Sequence, residues 1–133
     1  MSDPGFRTLV LDTEGLAAVA RRDKGVQGLL DAAQRADARV LVPWTVIAES
    51  LHGRGRKERE HALSKLALVE LTESHYRDAA TLMDATGMRG HTVDALVASA
   101  ARSCPRPVVL VTSDPSDFQR LLQDTKGIAV VAI

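Results

Sequence analysis

Four short apolar runs with scarcely a polar interruption constrain this chain more than any other feature. They lie within Arg7–Asp12 (RTLVLD), Arg39–Pro43 (RVLVP), Pro107–Thr112 (PVVLVT) and Ile128–Ala132 (IAVVA). A strand with one wet face alternates apolar and polar residues, whereas a continuous run has both faces covered. Such strands belong to parallel sheets lying between helices. A fifth and weaker run, Leu68–Leu71 (LVEL), adds one more strand.

The stretches between these runs carry helical spacing. Val26, Leu29, Leu30 and Ala33 recur at i, i+3, i+4, i+7, as do Tyr76, Ala79, Ala80 and Met83, with Gly87 placed as a C-cap. Val93, Leu96, Val97 and Ala100 repeat the pattern, and Phe118, Leu121 and Leu122 mark a last short helix. Gly53–Gly55 reads as a loop between two helices. Strand and helix alternate throughout, which implies βαβ units and helices on both faces of a parallel sheet.

With 133 residues, the expectation is one domain spanning 1–133, large enough for an apolar core without staples. Aromatic residues are only 3%, so that core falls to Val, Leu, Ile and Ala. Lys+Arg and Asp+Glu are both 17, so bulk charge does not announce a nucleic-acid partner, although Arg54-Gly55-Arg56-Lys57-Glu58-Arg59 is locally basic. The polar start, Met1–Gly5, has no apolar core of a secretory signal, and no run has the ~20 apolar residues a membrane helix needs. The single cysteine, Cys104, excludes an internal disulfide. These features give the expectation of a cytoplasmic protein.

In open parallel sheets, ligands bind beyond the carboxyl ends of the strands, and acids stand there. Asp12 closes the first run, where an N-cap role would also explain it. Asp114 follows the fourth, ahead of Pro115 at a helix N1 position and Asp117 in something like a capping box. Asp94 falls in the first turn of a helix for which Thr92 is the N-cap, a place the helix dipole favours for a carboxylate. Glu49 is the only charge from Leu41 to Leu51, on the margin of a helix whose inner side carries Val46, Ile47 and Leu51. An acid there is costly unless paired, metal-bound or turned to water. Each acid has an ordinary structural explanation. As a set they would repel one another unless a cation intervenes, and oxygen donors select Mg²⁺ or Mn²⁺.

Leu-Asp-Thr after the first strand, Pro-Trp-Thr-Val-Ile-Ala-Glu-Ser, Thr-Val-Asp-Ala-Leu-Val-Ala and Val-Thr-Ser-Asp-Pro-Ser-Asp-Phe together resemble the successive motifs of PIN-domain nucleases. At this size the chain is most similar to the VapC toxins of toxin–antitoxin pairs. The resemblance runs from about Thr8 to Val131. It implies a three-layer α/β/α sandwich with a central parallel five-stranded sheet of order 3-2-1-4-5. It also implies a Mg²⁺- or Mn²⁺-dependent endoribonuclease with Asp12, Glu49, Asp94 and Asp114 as the catalytic and metal-binding acids. Asp117, Thr112 and Ser113 become auxiliary residues beside them. The implied partners are an RNA substrate, a VapB-type antitoxin and a second copy of the chain in a homodimer, with no membrane. Glu14 departs from the family's pattern, in which a small polar residue is common; it is expected to face solvent.

Arg54, Arg56 and Arg59 either contact RNA phosphates or form a solvated helix start. His52, His61, His75 and His91 show no ligand spacing, and His91 is expected to serve a loop. Trp44 is expected in the core or an interface, and Cys104 at a helix end. The alternative to an enzyme is a PIN-like docking module without efficient nuclease activity. A phosphoacceptor receiver domain is disfavoured, because Asp12 is followed by Thr13 rather than by a second acid.

Overall fold

The computed structural model describes residues 5–133; the polar start, Met1–Pro4, lies outside the described residues. Twelve elements follow one another: β1 (Thr8–Leu11), α1 (Thr13–Ala20), α2 (Lys24–Arg35), β2 (Arg39–Pro43), α3 (Thr45–Ser50), α4 (Arg56–Leu63), β3 (Ala67–Val69), α5 (Glu73–Thr86), α6 (Thr92–Arg102), β4 (Val108–Thr112), α7 (Pro115–Leu121) and β5 (Ile128–Ala132). All strand pairs are parallel and the order is β3-β2-β1-β4-β5.

The pleat sends alternate residues of each strand to opposite faces, and two cores result. Leu9, Leu11, Val42 and Val111 meet α1–α4 residues such as Leu16, Val26, Val46 and Ala62 on one face. Val10, Leu41, Val108 and Leu110 meet Leu82, Leu96, Val97, Phe118 and Leu121 from α5–α7 on the other. These are the three layers that the unbroken apolar runs anticipate. The central strand β1 is fully buried along its length. β5, with more intermediate exposure, is an edge.

Several local expectations need adjustment. The third strand is Ala67–Val69, three residues set one position earlier than Leu68–Leu71. It is an edge strand, and Glu70 and Leu71 fall outside the pairing with Leu41, Val42 and Pro43. The N-cap of α6 is His91 rather than Thr92, whose hydroxyl turns to Met83 Sδ at 3.9 Å. The capping box suggested at α7 does not form: the Asp114 side chain makes no cap hydrogen bond, although Pro115 does occupy N1. Gly87 ends α5 with a left-handed φ of 70°, as expected of a C-cap glycine.

Candidate active site

β1 pairs with β2 on one side and β4 on the other, so it lies at the point where the chain order reverses. A crevice opens there beyond the strand ends. Leu11 stands opposite Val111 in the ladder, which brings Asp12 level with Thr112. The resulting crevice, about 160 Å³, is lined by Asp12, Thr13, Glu14, Glu49, Val93, Asp94, Val97, Thr112, Ser113, Asp114 and Phe118. All four acids singled out in the sequence therefore face one space, from β1, α3, α6 and the β4–α7 junction. Among the described residues no lysine or arginine lines it.

Asp12 is a helix cap as well: its Oδ1 accepts the Gly15 N–H at 2.8 Å. Only 8% of the residue is exposed. Burial raises its carboxyl to about 6, against hydrogen bonds from Thr112 and the Gly15 N–H that favour the charged form. The nearby charges of Glu14 and Asp94 push the same way as burial. Gly15 lets α1 come this close. A Cβ there would stand 3.2 Å from the Val111 carbonyl oxygen and from Leu11 Cβ.

Thr112 is buried and links two acids. Its hydroxyl oxygen accepts the Asp114 N–H at 3.0 Å, and its hydroxyl hydrogen favours ionised Asp12. Ser113 is exposed on the crevice wall. Asp114 is also exposed and accepts from Ser116 Oγ at 3.2 Å. Glu49 is exposed rather than held against the apolar side of α3, and its Oε1 accepts a hydrogen bond from Thr13 Oγ1. Glu14 is exposed as expected, yet it also lines the crevice and adds a fifth carboxylate.

Asp94 is half-buried in the first turn of α6. Its carboxyl is raised by burial and by the charge of Asp117, while His91 opposes the shift. Asp117 shares this field: a hydrogen bond with Asp114 raises its carboxyl further, and His91 and Arg120 oppose it. His91 Nδ1 lies 3.7 Å from Asp94 Oδ2 and 3.7 Å from Asp117 Oδ2. Donor atoms of His91, Asp94 and Asp117 all fall within 4.8 Å of one another. The expected loop role for His91 omits this. His91 and Asp94 are three apart at a helix start, so that half of the contact is written in the sequence; Asp117 arrives only through the packing of α7 on α6.

The basic segment divides. Gly55 precedes α4 in the left-handed region at φ 82°, and a Cβ there would stand 2.8 Å from Arg59 Nη1. Arg59 folds over this turn and donates to three carbonyls: Ser50 at 2.7 Å, His52 at 2.7 Å and Arg54 at 3.0 Å. Its guanidinium is thus engaged in joining α3 to α4. Arg54 and Arg56 stay exposed, Arg56 with Glu60 3.7 Å away.

Among solved structures, the chain matches one in the crystal structure of VapBC2 from Rickettsia felis bound to a DNA fragment from its promoter. The TM-score is 0.72 at 15% identity, over 95% of this chain and 98% of the other. The chain has the PIN-like fold. At that identity the likeness is one of architecture, shared nearly end to end. No protein-family model and no curated protein matches the sequence.

Proposed function

We propose that this PIN-like protein is a divalent-metal-dependent endoribonuclease, the toxin of a toxin–antitoxin pair, and that it acts in the cytoplasm. The observation that carries this reading is the convergence of Asp12, Glu49, Asp94 and Asp114 on one crevice lined by no lysine or arginine among the described residues. Negative charge gathered without a basic partner fits a cation, and the all-oxygen donors of these four acids fit Mg²⁺ or Mn²⁺. Asp12, Asp94 and Asp114 would hold the ion, some through water. The ion would supply charge neutralisation at the scissile phosphate and a water of lowered pKa.

The chain's own residues set the geometry. Thr112 and the Gly15 N–H orient Asp12, and Thr112 also holds the Asp114 backbone. Thr13 holds Glu49 at the mouth, where its carboxylate would orient the attacking water or hold a second ion. Arg54 and Arg56 are the cations left to meet RNA phosphates, with salt-sensitive binding as the consequence.

The partner reading extends the likeness to VapBC2. A second groove, about 660 Å³, shares no residue with the acidic crevice. It has an apolar floor of Val19, Ala20, Leu30, Ala62 and Leu66 and is rimmed by Arg22, Lys57 and Lys65, with Glu58 as its one acid. An antitoxin segment with an apolar face and acidic flanks suits that surface. Trp44, Leu68 and Tyr76 are exposed large apolar side chains of the kind a second copy would cover in a homodimer. Among the described residues no helix is long and apolar enough to cross a membrane.

The deciding experiment is cleavage of total RNA by the purified chain with Mg²⁺ or Mn²⁺ against EDTA, alongside Asp94→Asn. Metal-dependent cutting that the variant loses supports the enzyme. Full cutting by a folded Asp94→Asn protein sinks the assignment, and no cutting by a folded, antitoxin-free protein favours the docking module.

A further inference from the structure

The acids assigned above do not account for His91. Its Nδ1 stands 3.7 Å from a carboxylate oxygen of Asp94 and 3.7 Å from one of Asp117. Both separations exceed the ~2.7–3.2 Å of a hydrogen bond. They come close to the roughly 3.4 Å between two donors that each sit about 2.1 Å from one tetrahedral ion. The three donor atoms all lie within 4.8 Å of one another, and neither His91 separation is a full hydrogen bond.

The frame beneath them is fixed. His91 donates its N–H to Met88 O at 3.3 Å and accepts the Ala95 N–H at 2.9 Å, so the residue is tied on both sides of the helix start. Asp94 stands one turn further on the same face of α6. Asp117 comes from the first turn of α7, which packs on α6. The side chains of His91, Asp94 and Asp117 are 41%, 37% and 30% exposed, open enough for an ion to enter. Asp114 adds negative charge beside the group, and Arg120 offsets part of it at Asp117.

We propose that His91, Asp94 and Asp117 form a nitrogen-containing site for a divalent ion of the Zn²⁺ type on the outer wall of the acidic crevice. The inference rests on the reading of that crevice as a metal site, with Asp94 common to both positions. An imidazole donor favours Zn²⁺ and its transition-metal neighbours, whereas the all-carboxylate inner positions favour Mg²⁺. The two positions thus differ in the ion they select. Nδ1 ligation requires the tautomer with its proton on Nε2.

Calorimetric titration of the purified full chain with Zn²⁺ and, separately, Mg²⁺ tests this in the wild type, His91→Ala, Asp117→Asn and Asp12→Asn, each checked for folding by circular dichroism. His91→Ala and Asp117→Asn should each weaken Zn²⁺ binding on the order of tenfold or more, and His91→Ala should leave Mg²⁺ affinity unchanged. Asp12→Asn should weaken Mg²⁺ and retain Zn²⁺. In the Co²⁺-substituted protein, the visible ligand-field bands should change when His91 is removed. Zn²⁺ affinity equal in the wild type and His91→Ala overturns the site, as does a parallel loss of Zn²⁺ and Mg²⁺, which would mark a general charge effect. Failure of the underlying reading looks different: Mg²⁺ would not bind the wild type at all, while Zn²⁺ binding still depended on His91.

Discussion

Thr112 Oγ1 accepts the backbone N–H of Asp114 at 3.0 Å, and the same side chain favours the charged form of Asp12. One buried hydroxyl, 1% exposed, thereby fixes a relation between an acid at the end of β1 and an acid that follows β4. Adjacent parallel strands put the two acids near each other; Thr112 stands between them, bonded to the Asp114 backbone.

Thr112→Val keeps the shape of the side chain and removes both functions. Polar groups that orient metal-binding carboxylates typically matter by about 10–100-fold in affinity or activity. We expect a loss of that order in Mg²⁺ affinity and in RNA cleavage, with a stability cost of only about 1 kcal/mol for the lost hydrogen bonds. Thr112→Ser should recover most of the activity. A titration showing unchanged Mg²⁺ affinity in Thr112→Val would remove Thr112 from the site.

Asp12 ties stability to pH. Its carboxyl titrates near 3.8 in the unfolded chain and about 6 in the folded one. Between those values the folded state holds the proton that the unfolded state has lost, so stability falls as pH rises, by about 1.4 kcal/mol per unit. The full penalty, about 3 kcal/mol, is present above about 6 and absent below 3.8. Asp12→Asn keeps the oxygen that caps Gly15 and removes the charge. In metal-free buffer near neutral pH it should melt several degrees higher than the wild type, and the two should converge near pH 4. Added Mg²⁺ should raise the wild-type melting temperature and leave the variant unmoved. Identical pH profiles for the two proteins would contradict this account.

The sheet was legible because burial on both faces erases alternation in β1 and β4; β5 reads as an apolar run too, although it is an edge strand with Ala129 and Ala132 exposed. β3 was legible only roughly, since a three-residue edge strand carries little periodicity. Asp12, Asp94 and Asp114 were found through the strand-end and helix-start positions they occupy. For Asp12 the cap is present and does not withdraw it from the crevice: it caps α1 and lines the crevice together. Glu49 was noticed through its isolation among apolar neighbours, yet it is exposed and held by Thr13, a partner 36 positions away that no local pattern contains. Arg59 and His91 make contacts that local sequence does not suggest, for a related reason. Arg59 bonds carbonyls on a turn whose shape depends on Gly55, and His91 meets Asp117 only after α7 packs against α6.

The division within the basic segment has measurable consequences. Arg59→Ala removes three hydrogen bonds from a cation to carbonyls of the α3–α4 turn, and we expect about 1–2 kcal/mol lower stability in urea, discounted for the partial exposure of the group. Lysine cannot reproduce that fork, so Arg59→Lys should recover little. Arg54→Ala with Arg56→Ala should leave stability within about 0.5 kcal/mol and reduce the salt dependence of RNA binding by up to about two phosphate contacts. RNA affinity unaffected by the double change would assign these residues to solvation alone.

Gly15 sets the distance between α1 and the sheet, and two effects oppose each other there. Alanine gains about 1 kcal/mol of helix propensity over glycine. Its Cβ, however, would press against the Val111 carbonyl oxygen and Leu11 at 3.2–3.3 Å, and neither can yield easily. Val111 lies in β4 beside the central strand, and Leu11 is fully buried. Overpacking of this kind costs typically 1–3 kcal/mol, so Gly15→Ala should be destabilising by about 1 kcal/mol net. The strain falls on the first turn of α1, where Asp12 caps the Gly15 N–H. Mg²⁺ affinity should therefore drop with stability, whereas Gly28→Ala, in α2 with nothing within 4 Å of the added methyl, should stabilise the fold and leave Mg²⁺ binding alone. Parallel urea and Mg²⁺ titrations of the two variants check this; a Gly15→Ala protein as stable as Gly28→Ala would show that α1 can shift without cost.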